Sequence, residues 1–257
     1  MSKFLIIPQL KNIDESLKLA EKYGFGFEFN DFFSPDVLDS KERVKKIAAE
    51  YKAHKLPNLL TCHGDFFDVL IFSEDKHIRN ISEMRVRQSI EAALEVGAEA
   101  VIFHTNHNPF FTSESYVKNW MDCNMKFWSG ILAEYPHIKI YIENMCDSSP
   151  HMLAALSERL SAFSNYGVCF DYAHASVFGS DIDEWVNALA PYVKHMHIND
   201  NDLKSDLHLA VGDGKIDWNR FKEHYFKFFT KASVLIETSS IENQRRSAEF
   251  LSKLGII

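Results

Sequence analysis

Three observations in the sequence predict a single closed (β/α)8 barrel over residues 1–257. Short apolar runs alternate with longer amphipathic ones, the alternation repeats eight times at about 30 residues per unit, and the short runs are apolar on both faces. Strands of that kind belong to a parallel sheet covered by helices. An open doubly wound sheet would need a glycine-rich phosphate loop after an early strand, and the sequence has none.

Phe4 to Pro8 is expected as the first strand, and Ile13, Leu17 and Ala20 follow at helical spacing until Gly24. Gly26 to Asn30 is the second strand, with a helix expected over Asp36 to His54 that buries Val44, Ile47 and Tyr51. Leu59 to His63 is the third. Its long helix is expected to bury Ile78, Ile81, Val86, Ile90 and Leu94 and to end at Gly97 as a C-cap. Ala100 to Thr105 is the fourth strand, and the helix from Glu114 to Tyr135 packs through Val117, Trp120, Trp128 and Ile131 before Pro136 stops it. Lys139 to Asn144 and Tyr166 to Asp171 are the fifth and sixth strands, separated by a helix carrying Leu153, Leu156 and Leu160. A short helix around Asp183 to Leu189 precedes the seventh strand, Val193 to Ile198. Asp217 then caps a helix with Phe221, Tyr225 and Phe228, Ala232 to Thr238 is the eighth strand, and a last helix covers Glu242 to Leu254.

Lys and Arg total 28 against 36 Asp and Glu, a net charge of −8, so the overall field does not favour a polyanion. Cys62, Cys123, Cys146 and Cys169 are widely spaced, which fits reduced thiols; Cys146 is expected in a small buried role. The start, MSKFLIIPQL, has too brief an apolar run for a secretory signal, and no stretch has the apolar length of a membrane span. A cytoplasmic protein with no membrane partner is the expectation.

A barrel gathers the carboxyl ends of its strands at one mouth, so residues far apart in sequence become neighbours there. The expected ends are His63, His104, Glu143, Asp171 with His174 just beyond, His197 and Glu237. The stretch from Val193 to Gly214 adds Asn199, Asp200, Asp206 and His208 in the loop after the seventh strand. Buried carboxylates are costly unless paired or bound to a metal. A bound divalent ion supplies the counter-charge, and the mixed nitrogen and oxygen donors suit Zn2+, Mn2+, Co2+ or Fe2+ better than Ca2+ or Mg2+. His107, in the loop after the fourth strand, is left outside the set.

Five stretches in order, IEN at Glu143, CFDYAH at Asp171 and His174, HMHIND at His197, DLHLAVGDG at Asp206 and His208, and IET at Glu237, resemble the xylose-isomerase-like TIM barrels. That superfamily includes endonuclease IV (AP endonuclease family 2) and the sugar-phosphate isomerases and epimerases. The resemblance implies that Glu143, Asp171, His197 and Glu237 hold one divalent ion in the isomerase branch. In the endonuclease branch His63, His104, His174, Asp206 and His208 join them to hold three zinc ions. One to three ions are therefore expected.

The leading expectation is isomerisation or epimerisation of a sugar, polyol or sugar phosphate through an enediolate, with Glu143 and Glu237 as general acid and base. His174, His63, Asn199 and Lys204 are expected to bind the substrate, and Phe66, Phe67 and Phe110 to wall off water. The alternative is zinc-dependent phosphoester hydrolysis, including abasic DNA. The acidic balance counts against DNA, although Lys11, Lys204 and Lys215 suit a small phosphate. A third reading is a non-catalytic metal- or sugar-binding protein. Association into a homo-oligomer is left open.

Overall fold

The computed structural model describes residues 3–179 and 181–257, so residues 1, 2 and 180 of the expected domain lie outside the description. Among the described residues, eight parallel strands close into one barrel in sequence order. They are β1 (Phe4–Ile6), β2 (Gly26–Phe29), β3 (Leu60–His63), β4 (Ala100–His104), β5 (Lys139–Glu143), β6 (Tyr166–Asp171), β7 (Val193–Ile198) and β8 (Ser233–Ile236). The ring closes through Phe4 opposite Val234 and Ile6 opposite Ile236. The fold is the (β/α)8, or TIM, barrel that the sequence predicts.

The helices are α1 (Ile13–Tyr23), α2 (Pro35–Leu38), α3 (Lys41–Lys52), α4 (Lys76–Val96), α5 (Glu114–Glu134), α6 (His151–Leu160), α7 (Tyr172–Phe178), α8 (Ile182–Leu189), α9 (Trp218–His224) and α10 (Ile241–Lys253). They bury Trp120, Trp128, Trp185 and Phe221 against the outside of the barrel. Large rings remove the most apolar area from water per residue ordered, which is why they dominate this shell. Gly97 ends α4 with φ of 88°, the left-handed C-cap that the sequence marks.

Three details differ from the sequence reading. The helix expected over Asp36 to His54 is two helices, α2 and α3, because Ser40 takes an extended backbone and caps a new start by accepting from the Arg43 N–H. Ile78, Ile81 and Leu94 are 41, 51 and 47 % exposed rather than buried. The face of α4 that meets the barrel uses Val86 and Ile90 together with Ser82, Ser89 and Ala93, whose small side chains let helix and strand approach closely. The third is α7, which begins directly at the end of β6 and which the sequence reading does not contain. No helix among the described residues is long and apolar enough to cross a membrane.

Candidate metal centre

Each barrel strand from β3 to β7 delivers a titratable side chain to the carboxyl mouth at or next to its last residue, and Glu237 follows β8. Parallel register sets their height: His63 lies opposite Ile102, His104 opposite Glu143, and Asp171 opposite His197. Three sets of donors converge at the mouth, His63–His104–Glu143, Glu143–Asp171–His197 and His174–Asp206–His208, each with donor atoms within 4.8 Å of one another. Glu143 belongs to two of them. Its Oε2 lies 3.6 Å from His63 Nε2, 3.5 Å from His104 Nε2 and 3.2 Å from His197 Nδ1. Glu237 adds a second carboxylate, with Oε1 3.6 Å from the same His197 Nδ1 and Oε2 3.7 Å from His208 Nδ1.

The orientation of the histidines is informative. Nδ1 of His63 is 2.9 Å from the Gly64 carbonyl, Nδ1 of His174 is 3.0 Å from the Asn144 carbonyl, and Nδ1 of His208 is 3.1 Å from the Glu237 carbonyl. Each ring can donate its N–H there and present the Nε2 lone pair to the mouth, the arrangement a metal-ligating histidine needs. His197 is turned the other way, with Nδ1 toward Glu143 and Nε2 2.9 Å from Glu28 Oε1.

Both oxygens of Glu143 and Oδ2 of Asp171 are buried without a hydrogen-bond donor, as is Nδ1 of His197. A buried carboxylate left so is expensive, and a divalent cation among these atoms removes the penalty. The donor set therefore fits Zn2+ or another borderline cation. The charges respond as expected. Burial opposes ionisation of Glu143, yet His197 and His104 hold its carboxyl well below the ordinary range. Asp171 is pushed up to about 7, chiefly by burial, against the pull of His174 and with Glu237 and Glu143 adding to the rise. Burial would lower His208, but Asp206 and Glu237 raise it to about 10.

Of the expected substrate contacts, His63 and His174 line this space, and Asn199 is fully buried with Nδ2 3.5 Å from Glu237 Oε2. Lys204 is exposed on the loop, where its backbone N–H donates to Asp202. Asp200, expected among the donors of the stretch from Val193 to Gly214, is a structural residue. Its carboxylate accepts from the N–H groups of Gly212 at 2.9 Å and Ile216 at 3.1 Å and from the Trp218 indole at 2.7 Å. Cys146 is exposed, not buried. His107 pairs with Asp147 at 3.6 Å, outside the three sets. The Phe66 ring stands edge-on to His63 and His104 at 5.5 and 5.4 Å and packs against Phe33 and Phe67, which are 37 and 68 % exposed. Phe178 stands against His174 on another side at 6.2 Å. Sequence reasoning passes over one acid beneath this space, Glu28, fully buried in β2; a carboxylate inside an otherwise apolar GFEF strand is the available signal.

The fold is a (β/α)8 barrel whose carboxyl mouth gathers histidine and carboxylate side chains. The family model of the xylose isomerase-like TIM barrels matches residues 17–254, and the chain belongs to that family. It is 25 % identical over 199 residues to the fructoselysine 3-epimerase of Shigella flexneri, covering 72 % of this chain and 68 % of the relative. It is also 25 % identical over 189 residues to the probable endonuclease 4 of Mycobacterium ulcerans, covering 68 % and 71 %. The TTHB071 protein of Thermus thermophilus, solved after soaking with ZnCl2, superposes with a TM-score of 0.78 at 23 % identity over 98 % of this chain and 97 % of its own.

Proposed function

We propose that the chain is a divalent-metal-dependent isomerase or epimerase acting on a sugar. The observation that carries this reading is the placement of Glu143 and Glu237 on different strands against one nitrogen of His197, at 3.2 and 3.6 Å, with Asp171 in the same set. These four residues would hold the ion, which supplies Lewis-acid polarisation of a carbonyl and its neighbouring hydroxyl. Glu143 and Glu237 then serve as acid and base at the carbon beside the carbonyl, one removing a proton and the other returning it. His63 and His174 hold hydroxyl groups, Asn199 steadies Glu237, and Phe66 with Phe33 and Phe67 keeps water off the reacting face. The aromatic wall and the net charge of −8 favour a neutral sugar over a phosphorylated one.

Glu143→Gln and Glu237→Gln are each expected to lower the exchange of substrate C–H with solvent deuterium by at least about 100-fold. Turnover retained in either variant removes that glutamate from the mechanism. A second reading, zinc-dependent phosphoester hydrolysis, is favoured by one observation: all three donor sets at the mouth are complete and Glu143 joins two of them. Elemental analysis separates the two. One ion per chain supports the isomerase, while two or three zinc ions with cleavage of an abasic duplex or a small phosphodiester support the hydrolase.

A further inference from the structure

His197 is the site histidine whose mouth-facing nitrogen is Nδ1, and the cause lies beneath it. Glu28, on β2, is fully buried in the barrel interior and touches three side chains. Its Oε1 is 2.9 Å from His197 Nε2 and its Oε2 is 3.0 Å from His195 Nε2, close ion-pair contacts that are not aligned as hydrogen bonds, while the Thr61 hydroxyl donates to Oε2 at 2.6 Å. His195 is held in turn through Nδ1 by the Ser233 hydroxyl at 2.7 Å. The line Ser233–His195–Glu28–His197 ties β8, β7 and β2 together under the mouth. His63, His174 and His208 are each oriented by a backbone carbonyl, whereas His197 faces a carboxylate.

We infer that Glu28 is a positioning residue for the metal centre: its carboxylate keeps the His197 proton on Nε2 and so points the Nδ1 lone pair at the space between Glu143 and Glu237. A full negative charge behind the ring favours the proton on the near nitrogen and makes the far one a stronger donor, which a neutral carbonyl does more weakly. Thr61 and His195 prevent the Glu28 carboxylate from turning away. The ring order explains why β2, which contributes no donor to the three mouth sets, carries a buried acid at all.

The inference rests on the metal reading above, and its test separates the two. Nitrogen-15 NMR of the metal-free protein, above the histidine titration range, reads the neutral tautomer of His197 directly; an Nε2–H form is expected, and an Nδ1–H form overturns the inference whether or not the protein binds metal. Competition with a chromogenic zinc chelator then gives affinity. Glu28→Gln, which keeps the shape and removes the charge, is expected to weaken zinc binding about 10–100-fold. Glu28→Asp is expected to recover part of it. Thr61→Val, which frees the carboxylate without touching His197, is expected to weaken binding less, in the same direction. Unchanged affinity in folded Glu28→Gln, or loss there of a separate chelator-resistant ion that makes Glu28 itself a ligand, overturns the proposal. A wild-type protein that takes up no divalent ion sinks the metal reading while the tautomer still decides this one.

Discussion

Asp171 meets two demands with one carboxylate. Its Oδ1 accepts the His174 N–H at 2.6 Å and caps α7, while Oδ2 is left buried among the donors. In the folded, metal-free chain its carboxyl sits at about 7 against an ordinary 3.8, so the fold binds more protons than the unfolded chain between those values. The sign follows: this group's contribution to stability is present below pH 3.8 and is lost as pH rises through about 7. A metal ligand must be ionised, so uptake of the ion expels that proton at acid pH. Zinc affinity is therefore expected to climb between about pH 5.5 and 7.5, with proton release measured by calorimetry in buffers of different ionisation enthalpy. A flat affinity over that window would show that Asp171 takes no part in binding.

The loop between β7 and α9 offers two candidate donors and is itself held in shape by a residue that is not one. Asp206 and His208 meet at 3.0 Å on this loop, and His174 reaches Asp206 from α7 at 3.3 Å. The loop is stapled by the Asp200 carboxylate and by a close passage at Gly214, where an added Cβ would lie 2.3 Å from both the Asn201 carbonyl and Asp200 Oδ1. Gly214→Ala is expected to destabilise the protein by about 1–3 kcal/mol and to displace the Asp206–His208 pair. If the centre holds more than one ion, that variant loses the ion on His174, Asp206 and His208 first and keeps the one on Glu143, Asp171 and His197. Equal loss of both in an otherwise folded variant would mean that the sets are not separable. The strands of this region are legible in the sequence to within a residue or two because β6 and β7 are apolar runs with clear ends. The helices α2 and α7, of four and seven residues, are not, being too short to show a helical period. Nor does the sequence separate Asp200 from the ligands, since an acid at a strand end looks the same whether it faces a cation or its own loop's N–H groups.

At the scale of the whole molecule, six of the nine candidate donors sit at or next to the ends of strands that run consecutively around the ring, β3 to β8, so the proposed metal centre depends on the barrel's closure. Those six are legible because strand ends are fixed by the fold and a barrel gathers them at one mouth, whereas His174, Asp206 and His208 reach it from the helix and loop that follow β6 and β7. Glu28 is not legible as a partner of His197, because two strands far apart in the sequence meet only across the barrel interior. The same geometry predicts how stability depends on the ion. With none bound, Glu143 and Asp171 face each other with buried oxygens that lack donors. An ion bound by the folded chain alone adds about 2.7 kcal/mol at a concentration 100 times its Kd, which for a chain of this length raises Tm by roughly 5–10 °C. Chelation is thus expected to lower Tm by that amount, and zinc or manganese to restore it, in a thermal melt at fixed pH. Because Glu143 on β5 is common to two of the donor sets, Glu143→Gln should abolish most of the shift, while His208→Ala, at the loop's outer edge, should keep the larger part. A melt that chelator leaves unmoved would place the ion outside the barrel's closure, and would remove with it the idea that ligand spacing and strand order are fixed together.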